Sequence, residues 1–67
     1  MKYQFLADKI CERGIRKSVI AQRLGIASKS LSSKICGRTR FAYDEAQIIH
    51  HDFFPDIPLD ELFMEVS

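Results

Sequence analysis

The side chains best equipped for chemistry are few in this chain. His50, His51 and Asp52 stand in a row, Cys11 and Cys36 are the only thiols, and serines gather at Ser28, Ser30, Ser32 and Ser33. A metal centre needs donors that converge, whereas adjacent residues on a helix project about 100° apart. His50 and His51 are therefore a poor chelating pair, and no cysteine lies at a zinc spacing from another ligand. Cys11 and Cys36 are too distant for a C-x-x-C redox or zinc motif, and two cysteines do not make a disulfide framework. Each reads as a small buried hydrophobe, with an oxidation-sensitive thiol as the alternative. Ser, His and Asp all occur, but nothing in their order gathers a nucleophile, a base and an orienting group. The expectation is a protein without catalytic activity, metal or cofactor.

The chemistry that does stand out is electrostatic. The net charge of +1 conceals a segregation along the chain. From Lys9 to Arg40 there are nine basic residues, Lys9, Arg13, Arg16, Lys17, Arg23, Lys29, Lys34, Arg38 and Arg40, against the single acid Glu12. From Phe41 onward there are seven acids, Asp44, Glu45, Asp52, Asp56, Asp60, Glu61 and Glu65, with no Lys or Arg. The basic stretch is a candidate footprint for a polyanion, and the alternative is a solvated surface on which charges cluster.

Sixty-seven residues make one domain, residues 1–67, close to the lower size at which a chain folds alone. Apolar residues at 46% and charged residues at 28% give a globular balance. No apolar run approaches the roughly 18 residues of a membrane span, and Lys2, Gln4, Asp8 and Lys9 interrupt any signal-like start. A cytoplasmic location without membrane contact is expected.

The periodicities that must position these side chains are helical. Leu6 and Ile10, with Ala7 and Cys11 beside them, predict a first helix from Tyr3 to Arg13, stopped at Gly14. Ile20, Ala21 and Leu24 predict a second from Lys17 to Leu24, ended by Gly25. Leu31 and Ile35 predict a third from Ser28 to Cys36, ended by Gly37. Ala46, Ile49 and Phe53 mark a fourth from Tyr43 to Phe53 ahead of Pro55, and Pro58 suits the first turn of a short fifth helix. The expected fold is all-α and compact, with five helices. Its second and third helices, joined by a short turn containing glycine, form a helix-turn-helix unit.

The stretch Gly14 to Gly37, with Ala21, Leu24-Gly25-Ile26, Leu31-Ser32, Ile35 and Gly37 as anchors, resembles the lambda-repressor-like, Cro-like helix-turn-helix family. Phe41 to Ala46 and Leu59-Asp60-Glu61-Leu62-Phe63 resemble that family's closing helices, so the likeness runs from Leu6 to Phe63. The resemblance implies a sequence-specific, double-stranded-DNA-binding transcription regulator, such as a phage or prophage repressor, reading the major groove with its third helix. It places the base-contacting positions on Ser28, Lys29, Ser32 and Ser33. Lysine can donate to guanine O6 and N7, while serine discriminates weakly, and Lys29 has a phosphate contact or a solvated position as its alternatives. The family often has a phosphate-binding Gln where Lys17 stands here. Arg16, Lys34, Arg38 and Arg40 flank the same expected backbone track, and an ordinary solvated position is the alternative for each.

Three departures from the family pattern matter. Ala27 and Ala42 occupy places usually held by Ser or Thr caps, so the caps of the third and fourth helices are lost or shifted, and Ser28 is a substitute cap. Cys36 replaces a common Asn, removing an implied phosphate contact. The resemblance further implies a homodimer on an approximately palindromic operator. Phe54, Ile57, Phe63, Met64 and Val66 are candidates for the pairing surface, unless they close the monomer core. A second reading keeps the fold but assigns it to a protein partner, as in an antirepressor or antitoxin-like component whose acidic end binds a basic protein.

Overall fold

The computed structural model describes residues 2–65. They form α1 (Gln4–Glu12), α2 (Lys17–Leu24), α3 (Ser28–Cys36), α4 (Tyr43–Phe53) and α5 (Leu59–Leu62), with no strand among them. The fold is all-α. The bounds of α2, α3 and α4 coincide with those expected from the periodicity, and α1 is one residue shorter at each end.

One core holds the five helices together. Leu6, Ile20, Leu31, Ile35, Ile49, Phe54 and Leu62 are fully enclosed, with Ile10, Ala21, Ile57 and Tyr3 nearly so. Burial of side chains of this size stabilises by about 1.5–3 kcal/mol each relative to exposure. Ala21 is small where α2 and α3 pack, and Leu24 and Ile26 cover the edge of the same cluster. Phe54 and Ile57, considered above for pairing two copies, lie inside the monomer instead. Phe63 packs edge-on against both Tyr3 and Phe41, which also contact each other, with centroids 5.1–5.9 Å apart. Of those pairing candidates Met64 is exposed, and Val66 lies outside the described residues.

Helices α1, α2 and α3 stop in a common way. The N–H groups of Ile15, Ile26 and Arg38 each reach back to the carbonyl five residues earlier, at 2.9–3.0 Å, over a glycine of positive φ. At Gly25 the left-handed turn (φ 74°) compresses the α2–α3 connection to Gly25-Ile26-Ala27. Ala27 is extended and caps α3 without any side-chain hydrogen bond, as its missing hydroxyl requires. Ser28 does not take over that role. At α4 the cap is shifted: the Ala42 N–H donates to Glu45 Oε1 at 2.9 Å, satisfying one orphan donor from within the helix.

Both cysteines are exposed, which corrects the expectation that they are buried. Cys11 lies just past the Leu6–Ile10 row that faces the core, and Cys36 follows the buried Ile35 at the end of α3. Adjacent positions on a helix point in well-separated directions, so a neighbour of a core residue at a helix end readily turns to solvent. His50 is half-buried and His51 exposed, with rings 6.2 Å apart. Among the described residues no three His, Cys, Asp or Glu side chains converge on a metal position. Nor is any helix among them long and apolar enough to cross a membrane.

Candidate nucleic-acid interface

Helix α3 is held by one side. Leu31 and Ile35 are fully enclosed at i and i+4, so the opposite stripe of the helix faces outward. That stripe carries Lys29, Ser33 and Cys36 at i, i+4 and i+7, and Ser28 and Ser32 form a flanking row. Ser28, Lys29 and Cys36 are exposed, while Ser32 and Ser33 are half-buried. The four residues expected to contact bases are thus brought onto one short helix, with the two at its N-terminal end most accessible.

Ion pairing decides which cations are available to a partner. Lys2 pairs with Glu65 at 3.4 Å, Lys9 with Glu12 at 3.5 Å and Arg23 with Asp52 at 2.6 Å. Arg13 makes a two-pronged bond to Asp56 at 3.0 and 2.6 Å, reaches the Phe53 carbonyl at 3.3 Å and lies over the Phe54 ring. The Arg13 hydrogen bond holds the Asp56 carboxyl below the usual carboxylate range and raises the guanidinium in return.

Lys34, expected to contact phosphate, is engaged within the fold. Its ammonium lies 3.1 Å from Glu45 Oε1 and donates to the Arg40 carbonyl at 3.0 Å. The two side chains of this pair are 17% and 16% exposed, the most enclosed ion pair in the protein's described residues. Lys34 adjoins the buried Ile35 on α3, so its stem runs along the core edge and its head meets the nearest carboxylate.

Five cations have no carboxylate partner among the described residues: Arg16, Lys17, Lys29, Arg38 and Arg40. All are exposed. Arg16 and Lys17 stand at the start of α2, Lys29 in the first turn of α3, and Arg38 and Arg40 in the loop that follows α3. The first turns of α2 and α3 contain no acidic residue, in contrast to those of α4 and α5, which carry Asp44 with Glu45 and Asp60 with Glu61. The positive ends of α2 and α3 therefore add to the field of the unpaired cations.

The acidic half of the sequence is dispersed by the same pairing. Glu45, Asp52, Asp56 and Glu65 each neutralise a cation, and Asp44, Asp60 and Glu61 sit where they complement helix dipoles. One surface residue escaped the sequence reading. Tyr43 opens α4 three residues after Arg40, is 72% exposed, and accepts a hydrogen bond from Gln47 at 2.8 Å, leaving its own proton to donate. The available signal is its position at the helix start, before the apolar stripe of Ala46, Ile49 and Phe53.

No family model, curated protein or solved structure matches the chain.

Proposed function

We propose that the chain binds double-stranded DNA as a sequence-specific transcription regulator of the Cro-like repressor type, acting in the cytoplasm with α3 laid in the major groove. The observation that carries this reading is the partition of charge. Five carboxylates take up five cations, and the five left unpaired fall at the start of α2, the start of α3 and the loop after α3. A helix clamped on one side and bounded at both ends by unpaired cations suits a groove walled by phosphates.

In this arrangement Lys29 donates to a base edge, with Ser28, Ser32 and Ser33 as weaker contacts. Arg16, Lys17, Arg38 and Arg40 hold phosphate and fix the register without reading sequence. One short half-site gives little discrimination, so two copies on an approximate palindrome complete the site. The acids that a basic protein partner would need are largely committed within the fold, which favours the DNA reading over the antirepressor-like one.

Selection of bound sequences from a random duplex pool tests the reading. The expected winner is a palindrome whose half-sites repeat about one helical turn apart. Lys29→Ala is expected to lose roughly 1–3 kcal/mol of preference at one base pair, whereas Lys17→Ala weakens all duplexes alike. A pool that yields no enriched duplex, or variants that bind as the parent does, contradicts the proposal.

A further inference from the structure

The loop between α3 and α4 carries two of the unpaired cations, Arg38 and Arg40, and a particular set of contacts fixes it. Lys34 Nζ donates to the Arg40 carbonyl at 3.0 Å and lies 3.1 Å from Glu45 Oε1, while that same carboxylate oxygen accepts the Ala42 N–H at 2.9 Å. The chain on either side of Phe41 is thus tied to one buried-edge ion pair, from its carbonyl at Arg40 and from its amide at Ala42. Phe41 itself is wedged against Tyr3 and Phe63 at 5.3 and 5.1 Å. At its other end the loop starts from the α3 stop, where the Arg38 N–H is held by the Ser33 carbonyl at 2.9 Å.

We infer that Lys34 and Glu45 are positioning residues: their ion pair sets the loop so that Arg38 and Arg40 point along the same phosphate track, and Lys34 itself does not touch DNA. The inference rests on the DNA-binding reading for its consequence and on the free protein's geometry for its mechanism. A lysine whose side chain is 17% exposed and whose ammonium is already engaged by a carboxylate and a carbonyl would have to abandon both to reach a phosphate. Leaving Glu45 unpaired at a site this enclosed is unfavourable. Conversely, an arginine pair on an untethered loop must lose backbone freedom on binding, which weakens each contact it makes.

Two variants separate positioning from direct contact. Lys34→Met keeps the aliphatic stem and removes the charge, and Glu45→Gln keeps an acceptor for the Ala42 N–H and removes the counter-charge. Nitrogen relaxation of the free protein is the first measurement. Backbone order parameters at Arg38, Thr39 and Arg40 are expected near the rigid value of about 0.85 in the parent and to fall toward roughly 0.6 in Lys34→Met. Unchanged values overturn the positioning role whether or not the protein binds DNA. The second measurement is affinity for a duplex, with thermal melts verifying that each variant is folded at the assay temperature.

Positioning predicts that Lys34→Met weakens binding by roughly threefold to tenfold, and that the double variant Lys34→Met/Glu45→Gln is no weaker than Lys34→Met alone. Direct phosphate contact predicts instead that Glu45→Gln liberates a cation and tightens binding. It also predicts that Lys34→Met lowers the salt dependence by about 0.9 for the one phosphate lost. Either result overturns the inference. A parent that binds no duplex contradicts the functional reading alone, because the order parameters still report on the loop.

Discussion

Gly37→Ala is expected to lower the melting temperature by roughly 10–25 °C, the largest effect of a methyl group added at any of the three glycines. Two costs coincide there. Gly37 holds φ at +94°, a conformation in which a side chain crowds its own carbonyl, at about 1–2 kcal/mol. A Cβ at that position would also lie 2.7 Å from Lys2 Cβ. Lys2 cannot simply swing aside, because its N–H bonds the Cys36 carbonyl at 3.4 Å and the Tyr3 N–H bonds the Ile35 carbonyl at 3.1 Å. These two bonds satisfy carbonyls that the end of α3 would otherwise leave without partners. Moving Lys2 loosens both and disturbs Tyr3 in its aromatic cluster.

Gly25 provides the internal comparison. It shares the left-handed conformation at φ +74°, but an added Cβ there meets nothing within 4 Å. Gly25→Ala therefore carries the conformational cost alone, about 1–2 kcal/mol. For a domain whose total stability is on the order of 5 kcal/mol, the difference decides whether the variant is folded at 37 °C. Calorimetric melts of the two variants check the argument, and Lys2→Gly combined with Gly37→Ala should recover part of the loss by removing the opposing Cβ. Melting temperatures for Gly37→Ala and Gly25→Ala within about 2 °C of each other would show that the contact with Lys2 has no energetic weight.

Attaching a bulky maleimide to Cys36 is expected to weaken duplex binding by at least roughly thirtyfold, while the same adduct on Cys11 changes it less than about twofold. Both thiols are exposed, so both are open to the reagent. They differ in the surface they share. Cys36 lies on the outward stripe of α3 with Lys29 and Ser33, whereas Cys11 lies at the end of α1, one residue from Glu12. An adduct on the former stands between α3 and any groove it enters. Variants with one cysteine replaced by serine allow each site to be labelled alone, and melts of the labelled proteins establish that the fold is kept. Equal loss from both adducts, or none from Cys36, would mean that α3 does not face the duplex.

Which features could be read from the sequence follows from how local their causes are. The limits of α2, α3 and α4 depend on Gly25, Gly37 and Pro55 and on apolar spacing within a few residues, and these are visible in one dimension. The ends of α1 are less so. Tyr3 stands outside the helix as its cap residue, with its N–H donated to the Ile35 carbonyl far along the chain, and no local pattern announces that bond. The cysteines face solvent although their residue type suggests burial, because position on the helix decides it. At α4 the loss of a capping hydroxyl at Ala42 was legible, and the compensation from Glu45 lies only three residues away.

The candidate site was legible in its members and not in their pairing. The cluster of nine cations between Lys9 and Arg40 is plain in the sequence, but the acids that neutralise three of them arrive from the other end. Arg13 meets Asp56 across 43 positions, and Arg23 meets Asp52 through the packing of α2 on α4. Lys34 illustrates the consequence. As a residue type it belongs with Arg38 and Arg40, yet the fold sets it against Glu45 and turns it into a brace for the loop those arginines occupy.

The dependence of duplex affinity on salt tests most directly whether the unpaired cations are a phosphate-binding surface. Four or five phosphates neutralised by Arg16, Lys17, Arg38 and Arg40, with or without Lys29, predict that log K falls with log salt at a slope of about −3.6 to −4.5. Neutralising Arg38 and Arg40 together should reduce that slope by about 1.8. A slope near zero, or one that the double neutralisation leaves unchanged, would contradict the account.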